Sequence, residues 1–256
     1  MLLINYSREI FQPLASGIRY AEIGVYKGLY AKGVKRYAPK EMYLIDPWKA
    51  PPPEALIPLD FVGDAAGSLE NAISGYYVGG IEKALEEAYP QVLAEFGDML
   101  NCKIIRKSSA DAYQDFEDGS LDVIYVDGNH RYDYVLADLE RWSSKASAGG
   151  YLILNDCYVS PIGKKQHMSV LEAVSTFTKL TDWVVAAGVN QDYTDLVLTR
   201  RQNAQNAKNV LLALLMTNDV KFVELPSTLI HCMCHRTATW VQDGQTFSRE
   251  YMSFGD

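Results

Sequence analysis

Short apolar runs alternate with longer amphipathic segments along most of the chain. The runs are rich in Ile, Leu, Val and Tyr, and they have the length and composition of buried strands. They predict strands at 19–25, 41–45, 103–106, 121–126 and 151–154. Between them, apolar positions recur at helical spacing and predict helices at 29–37, 81–96 and 132–145. The pattern therefore predicts an α/β protein.

The order of these elements predicts the topology. Strands that alternate with helices form right-handed crossovers and a parallel sheet, which carries helices on its two faces. We expect a doubly wound, mostly parallel, Rossmann-like sheet. It occupies a predicted domain at 1–200, and residues 201–256 form a predicted C-terminal extension.

Two stretches are longer than such a sheet needs. About 55 residues separate Asp46 from Cys102, whereas a whole β–α–β unit takes about 30. The first part, 47–80, is rich in Pro, Gly, Asp and Tyr, and we interpret it as an insertion that forms an ordered loop or lid. The extension contains a predicted helix at 206–216 and strand-like runs at 220–225 and 228–234. It is expected to cover the sheet, to pair with another subunit in a homo-oligomer or to form a subdomain, and these alternatives stay open.

Composition and charge restrict the classes of function. The net charge of −8 argues against a nucleic-acid partner, because binding to phosphates needs a positive surface. Residues 1–10 lack a basic segment followed by an apolar run, and the longest apolar run, 210–216, is too short to span a bilayer. The four cysteines form no C-x-x-C pair, which fits a reducing compartment. We expect a cytoplasmic protein that acts on a small molecule, with no membrane partner.

The strongest local motif follows the first predicted strand of the sheet. It reads Glu22-x-Gly24-x-x-x-Gly28, and a helical pattern comes directly after it. Gly24 allows a tight turn, and Gly28 allows a ligand or the next helix to approach the backbone closely. A plain strand-to-helix turn has the same pattern, so the motif gains weight only from its neighbours.

Polar or small residues also follow the later strands. The carboxyl ends of parallel strands meet at one edge of the sheet, where ligands bind in open α/β folds. An acid there, about 20 residues after a glycine turn, accepts hydrogen bonds from ribose hydroxyls in nucleotide-binding sheets. The residues at this edge are Asp46, Ser109, Ala110, Asp111, Asp127, His130 and Asp156.

Together these elements resemble the class I S-adenosylmethionine-dependent methyltransferases. The resemblance extends from about residue 19 to residue 200. It is greatest to the small-molecule O-methyltransferases that have Asp-Gly-x-His after the fourth strand, here Asp127 to His130. It implies a seven-stranded sheet closed by an antiparallel hairpin at 182–185 and 194–199, and it implies methylation of a small acceptor.

The resemblance also implies a role for each residue at the edge. Glu22 and the two glycines of the motif would line the methionine end of the cofactor, and Asp46 would hold the ribose. Ser109 and its two successors would lie beside the adenine. The residues implied to bind the cofactor are Glu22, Gly24, Gly28, Asp46, Ser109, Ala110, Asp111 and Asp127.

A hydroxyl acceptor must lose a proton during methyl transfer, and this calls for a positioned base. His130 is the candidate base, with Asp127 beside it. Asp127 and Asp156 end adjacent predicted strands and are candidate ligands for Mg²⁺, which would lower the pKa of the acceptor. Metal-dependent members of the family usually carry Asp or Asn after the second acid. Here Cys157 occupies that position, and its soft thiolate is ill suited to Mg²⁺.

Other functions compete with this interpretation. An NAD-dependent oxidoreductase would have a similar sheet, but its glycine pattern is G-x-G-x-x-G and not the G-x-x-x-G found here. A cofactor-binding or assembly protein that lost catalysis would also share the fold. Residues 231–235 alternate His, Cys and Met, and alternation along a strand would divide these side chains between two faces, against a zinc site.

Overall fold

The computed structural model describes residues 1–52, 77, 79–157, 169–190 and 194–255. Most of the insertion expected at 47–80 lies outside the described residues. The strands are β1 (Leu2–Ile4), β2 (Arg19–Ile23), β3 (Glu41–Ile45), β4 (Cys102–Ile105), β5 (Leu121–Val126), β6 (Ala146–Leu154), β7 (Trp183–Val189), β8 (Leu196–Arg200), β9 (Phe222–Glu224), β10 (Cys234–Gln242) and β11 (Gln245–Ser253). The α-helices are α1 (Leu29–Lys35), α2 (Ile81–Phe96), α3 (Ser109–Ala112), α4 (Tyr132–Trp142), α5 (Val170–Leu180) and α6 (Ala204–Thr217). Segments of 3₁₀ helix cover Arg8–Ala15, Tyr113–Asp115, Arg201–Asn203 and Ser227–Cys232.

Within the described part, one mixed sheet organises the chain. Its strand order is β4-β3-β2-β5-β6-β8-β7-β1-β9. The first five strands of this order are parallel, and β8 is antiparallel to both β6 and β7. The parallel arrangement and the antiparallel hairpin agree with the sequence prediction.

The expected number of seven strands is wrong, because the residues that the structure describes contribute nine strands to this sheet. β1 pairs with β7 in parallel, and β9 pairs with β1 in antiparallel orientation at the edge. β1 has three residues, too few to show an alternating pattern in the sequence. The second added strand, β9, comes from the run at 220–225, so the C-terminal extension contributes to the main sheet.

Helices cover both faces of the sheet, as a doubly wound fold requires. Along β5, Val123 and Tyr125 enter one hydrophobic cluster, while Ile124 and Val126 enter the other. The first cluster includes residues of the segment Arg8–Ala15 and of α1, α2 and α6. The second includes residues of α4 and α5. This alternation buries both faces of the central strands, which explains their continuous apolar runs.

Two local predictions near the end of the chain need correction. The run at 228–234 is not a strand, because Ser227–Cys232 forms a 3₁₀ turn and β10 begins at Cys234. The turn directs Ile230 and Met233 into the second cluster, and this burial overrides the strand-like composition. The alternation argument against zinc therefore does not hold for 231–235. β10 and β11 form a separate two-stranded sheet. No helix among the described residues is long and apolar enough to cross a bilayer.

The strand β6 begins earlier than expected. Gly149 and Gly150, which precede the strand predicted at 151–154, lie inside Ala146–Leu154. The pairing with β5 shifts register between Leu121 and Val123, which accommodates the irregular start of β6. The last residues of both strands pair regularly, so the carboxyl ends of β5 and β6 lie side by side.

Candidate active site

Gly24 joins the ends of two strands at the carboxyl edge of the sheet. Its φ is +85°, and a Cβ atom added to it would lie 1.9 Å from the carbonyl oxygen of Asp127. Only glycine permits this approach of the two turns. Gly28 has φ +70°, but a Cβ there would meet the ring of Phe96 on α2 at 3.0 Å. Gly24 thus allows the two turns at the edge to approach each other, whereas Gly28 allows α2 to pack against the start of α1.

The carboxylate of Asp46 holds two backbone turns together. Oδ2 accepts a hydrogen bond from the Tyr26 amide at 2.9 Å, and Oδ1 accepts one from the Trp48 amide at 2.6 Å. Tyr26 and Trp48 both have a positive φ, of 48° and 43°. Burial raises the pKa of Asp46 above its usual value, against the effect of the two amide hydrogen bonds. The acid lies at the expected place, with each oxygen already engaged once and able to accept again.

Glu22 lies beneath the glycine turn and is only 2% exposed. The Tyr20 hydroxyl donates a hydrogen bond of 2.6 Å to its Oε2. Burial raises the pKa of Glu22 to about 8, although the Tyr20 hydrogen bond opposes the shift. This shift favours the protonated form of the carboxyl group near neutral pH.

Ser109 begins the short helix α3 and connects it to α4. Its hydroxyl donates to Asp138 Oδ1, and the indole nitrogen of Trp142 donates to it at 2.8 Å. Asp138 is buried, and this burial raises its pKa to about 6. Ala110 and Asp111 are exposed at the same edge. Asp138 was not among the sequence candidates, although an acid on the apolar face of α4 was a detectable signal.

Asp127, His130 and Asp156 come together, as the sequence predicts. His130 Nε2 lies 3.3 Å from Asp127 Oδ1, and Nδ1 lies 3.7 Å from Asp156 Oδ2. The imidazole is 23% exposed, so a ligand can reach it. Burial alone would lower the pKa of His130, but the Asp127 hydrogen bond and the charges of both carboxylates outweigh burial and raise it. The edge therefore carries a histidine that binds its proton more tightly than usual.

The second acid of this cluster occupies a strained position at the end of β6. Asp156 has φ +53°, and burial raises its pKa to about 6. The next residue, Cys157, is fully buried in the second cluster, where its thiol donates to the Leu154 carbonyl. Cys157 therefore does not face the acid pair. Among the described residues, no group of three or more His, Cys, Asp and Glu side chains is arranged to hold a metal ion.

Arg8 and Asp195 also lie at this edge and were missed by sequence reasoning. Arg8 Nη1 donates to the Tyr125 hydroxyl at 3.2 Å and lies 3.8 Å from Asp127 Oδ2. The Tyr125 hydroxyl donates in turn to Asp195 Oδ2 at 2.8 Å, and Asn155 donates to Asp195 Oδ1 at 2.9 Å. Burial raises the pKa of Asp195 to about 7. Arg8 lies in the 3₁₀ segment Arg8–Ala15, for which the sequence analysis predicted no element.

Comparison with known proteins identifies the family. A family model described as a methyltransferase domain matches residues 21–157, which contain the glycine turn and the Asp127–Asp156 cluster. An uncharacterized protein, y4gI of Sinorhizobium fredii (strain NBRC 101917 / NGR234), is 35% identical over 79 residues. That match covers 30% of this chain and 9% of the length of the relative.

Solved structures share the fold at low sequence identity. A protein of Corynebacterium glutamicum has a TM-score of 0.50 and 12% identity, over 75% of this chain and 79% of that one. The cofactor-bound Rv0187 from MTB also has a TM-score of 0.50 and 12% identity, over 77% of this chain and 82% of that one. These likenesses concern the fold alone. The family match covers more than half of the chain, and the chain therefore belongs to the methyltransferase domain family.

Proposed function

We propose that this protein transfers a methyl group from S-adenosylmethionine to a hydroxyl group of a small metabolite, with His130 as general base. One observation carries the proposal. His130 lies at the carboxyl edge of the sheet, between the carboxylates of Asp127 and Asp156, and remains partly exposed. A base in this position lies beside the glycine turn, where the family resemblance implies the methionine end of the cofactor.

The residues around the turn fit the cofactor. The approach of Gly24 to the Asp127 carbonyl leaves both turns free of side-chain atoms at their closest point. Asp46 retains acceptor capacity for ribose hydroxyls, and Ser109, fixed by Asp138, borders the expected adenine position. When bound, S-adenosylmethionine supplies a methyl group on a positively charged sulfur, which is already a strong electrophile. Catalysis then depends mainly on alignment and on proton removal.

The two ring nitrogens of His130 face different carboxylates and would have different roles in proton transfer. In the tautomer that we propose, Nε2–H donates a hydrogen bond to Asp127 Oδ1, which lies 3.3 Å away. Nδ1 is then the basic nitrogen, and it takes the proton of the acceptor hydroxyl. Asp156 Oδ2, at 3.7 Å from Nδ1, stabilises the imidazolium that results. Because these acids raise the pKa of His130, the neutral base should become abundant only above the usual histidine range.

Turnover with a library of hydroxyl-bearing metabolites tests the proposal. Formation of S-adenosylhomocysteine with at least one acceptor, at a rate that rises with pH, is the expected result. Tight cofactor binding without turnover of any acceptor would support the non-catalytic alternative. Loss of turnover in EDTA and recovery with Mg²⁺, together with normal turnover by His130→Ala, would replace the base mechanism with metal catalysis at Asp127 and Asp156.

A further inference from the structure

Arg8 brings a permanent positive charge to the edge of the sheet from outside the family-matched segment. It lies in the 3₁₀ segment Arg8–Ala15, ahead of the matched residues 21–157. Its guanidinium lies 5.4 Å from the centroid of the Tyr30 ring and bonds to the Tyr125 hydroxyl. These two tyrosine rings stack on each other at 3.9 Å. The guanidinium therefore packs against a stacked pair of aromatic rings.

Most of the hydrogen-bonding capacity of Arg8 is unused within the described part of the chain. A guanidinium carries five N–H donors in a planar fork. Nη1 makes the bond to Tyr125, while Nε and Nη2 have no hydrogen-bond partner among the described residues. The nearest acid, Asp127, is 3.8 Å away, and the Arg8 side chain is 35% exposed. A partly exposed pair at this distance contributes little stability, so neutralising Asp127 does not account for the arginine.

Arg8 lies on the His130 side of the edge, away from the expected nucleoside of the cofactor. The charged and polar groups with the largest effect on Arg8 are Tyr125, Asp127, Asp156 and Asp195, which belong to β5 or to the ends of β5, β6 and β8. Arg8 also opposes the rise in the pKa of Glu22, the residue of β2 expected near the methionine end of the cofactor. Asp46 and Ser109, the expected ribose and adenine residues, follow β3 and β4 on the other side of β2. Arg8 thus lies on the side of His130 that faces away from the expected nucleoside.

We propose that Arg8 binds a carboxylate of the acceptor, so that the acceptor is a hydroxy acid. This inference rests on the proposed function and specifies its substrate class. The planar fork pairs with a carboxylate through two parallel N–H···O bonds, and such charge-assisted pairs give orientation as well as affinity. Asp127 lies between Arg8 and His130, with one carboxylate oxygen near each. An acceptor whose carboxylate binds Arg8 can therefore present its hydroxyl to His130.

Two matched probes test the charge preference. Binding of 3-hydroxybenzoate and 3-hydroxybenzamide, which differ in charge but little in shape, is measured by calorimetry with S-adenosylhomocysteine present. The wild type should bind the acid at least about tenfold more tightly than the amide, as expected for a charge-assisted hydrogen bond. Arg8→Met should abolish this preference, and Arg8→Lys should retain part of it. Equal affinity for both probes, or no binding of the acid at its solubility limit, overturns the proposal.

A second pair of ligands separates the acceptor carboxylate from the cofactor carboxylate. S-adenosylhomocysteine has an amino-acid carboxylate, whereas 5′-methylthioadenosine lacks it. Arg8→Met should change the affinity for both by the same small factor. A tenfold loss for S-adenosylhomocysteine alone would assign Arg8 to the cofactor and overturn the acceptor proposal.

Two variants serve as controls. Arg106→Met makes the same charge change in an arginine that follows the edge strand β4 and lies over the Tyr89 ring. This variant should leave the preference for the acid unchanged. His130→Ala should keep the preference for the acid in binding while losing turnover. Full turnover by His130→Ala would contradict the proposed function and leave the role of Arg8 standing. Loss of the preference for the acid in Arg8→Met, but in neither control variant, would support the role of Arg8 in acceptor binding.

Discussion

The two halves of the ligand-binding edge are built in different ways. On the β2–β3 side, Asp46 is nearly buried and both of its oxygens are bonded to backbone amides. On the β5–β6 side, His130 and Asp156 face each other at 3.7 Å, longer than a hydrogen bond, and both remain partly exposed. The first half fixes the backbone rigidly, while the second keeps capacity to bind and release a proton. An edge of this kind can hold one ligand in a constant position and carry out proton transfer on another.

The largest effect is expected where the two halves touch. Gly24→Ala would place a Cβ atom 1.9 Å from the Asp127 carbonyl oxygen, at a φ of +85°. Neither atom belongs to a flexible side chain, so the turns must separate. We expect a loss of about 3–5 kcal/mol in the free energy of unfolding, measured by urea denaturation.

Gly119→Ala provides the matched control for backbone strain. Gly119 has φ +71°, but an added Cβ would meet nothing within 4 Å. This variant should lose only about 1 kcal/mol, which is the cost of the left-handed conformation alone. Similar losses in the two variants would show that the contact between the two halves is unimportant.

The next effect concerns the proton-transfer half alone. His130→Ala should lower kcat by about a hundredfold or more, because it removes the proposed base for the acceptor hydroxyl. The dissociation constant of S-adenosylhomocysteine should change little, since Asp46 and the glycine turn are intact. In the wild type, kcat/KM should rise with pH and reach half its maximum above 6.5, as the raised pKa of His130 requires. A flat pH profile would contradict the assignment of His130 as base.

A substitution on the β2–β3 side should weaken cofactor binding, which the His130 substitution leaves nearly unchanged. Asp46→Ala removes the acceptor of the Tyr26 and Trp48 amide hydrogen bonds and the proposed acceptor for ribose hydroxyls. We expect cofactor binding to weaken by about 1–3 kcal/mol, as for the loss of charge-assisted hydrogen bonds, in calorimetry with S-adenosylhomocysteine. Asp111→Ala is an exposed control on the same side and should have a smaller effect. An Asp46→Ala protein with unchanged affinity would remove the acid from the ribose site.

The sequence predicts what depends on regular periods and on strand ends. The central parallel strands and the meeting of Asp127, His130 and Asp156 follow from apolar runs whose carboxyl ends must share an edge. The closing hairpin was implied by the family resemblance and not by these runs. The added strand β1 was not predictable, because three residues carry no period. Arg8 was missed for a related reason, since its side chain reaches the edge by tertiary packing of a 3₁₀ segment. Long-range contacts of irregular segments leave no local pattern in the sequence.

The smallest effect is expected from the buried acid beneath the glycine turn. Burial raises the pKa of Glu22 from 4.5 to about 8, so the folded protein holds this proton more tightly than the unfolded chain. The stability it contributes is therefore fully present below pH 4.5 and is lost as the pH rises through 8. Glu22→Gln keeps the shape and cannot ionise, so it should be more stable than the wild type at pH 9 and no more stable at pH 5. Because the surroundings of a buried charge relax, we expect a gain of about 1 kcal/mol at pH 9, measured by urea denaturation. An equal difference between variant and wild type at both pH values would show that Glu22 is already ionised in the folded protein.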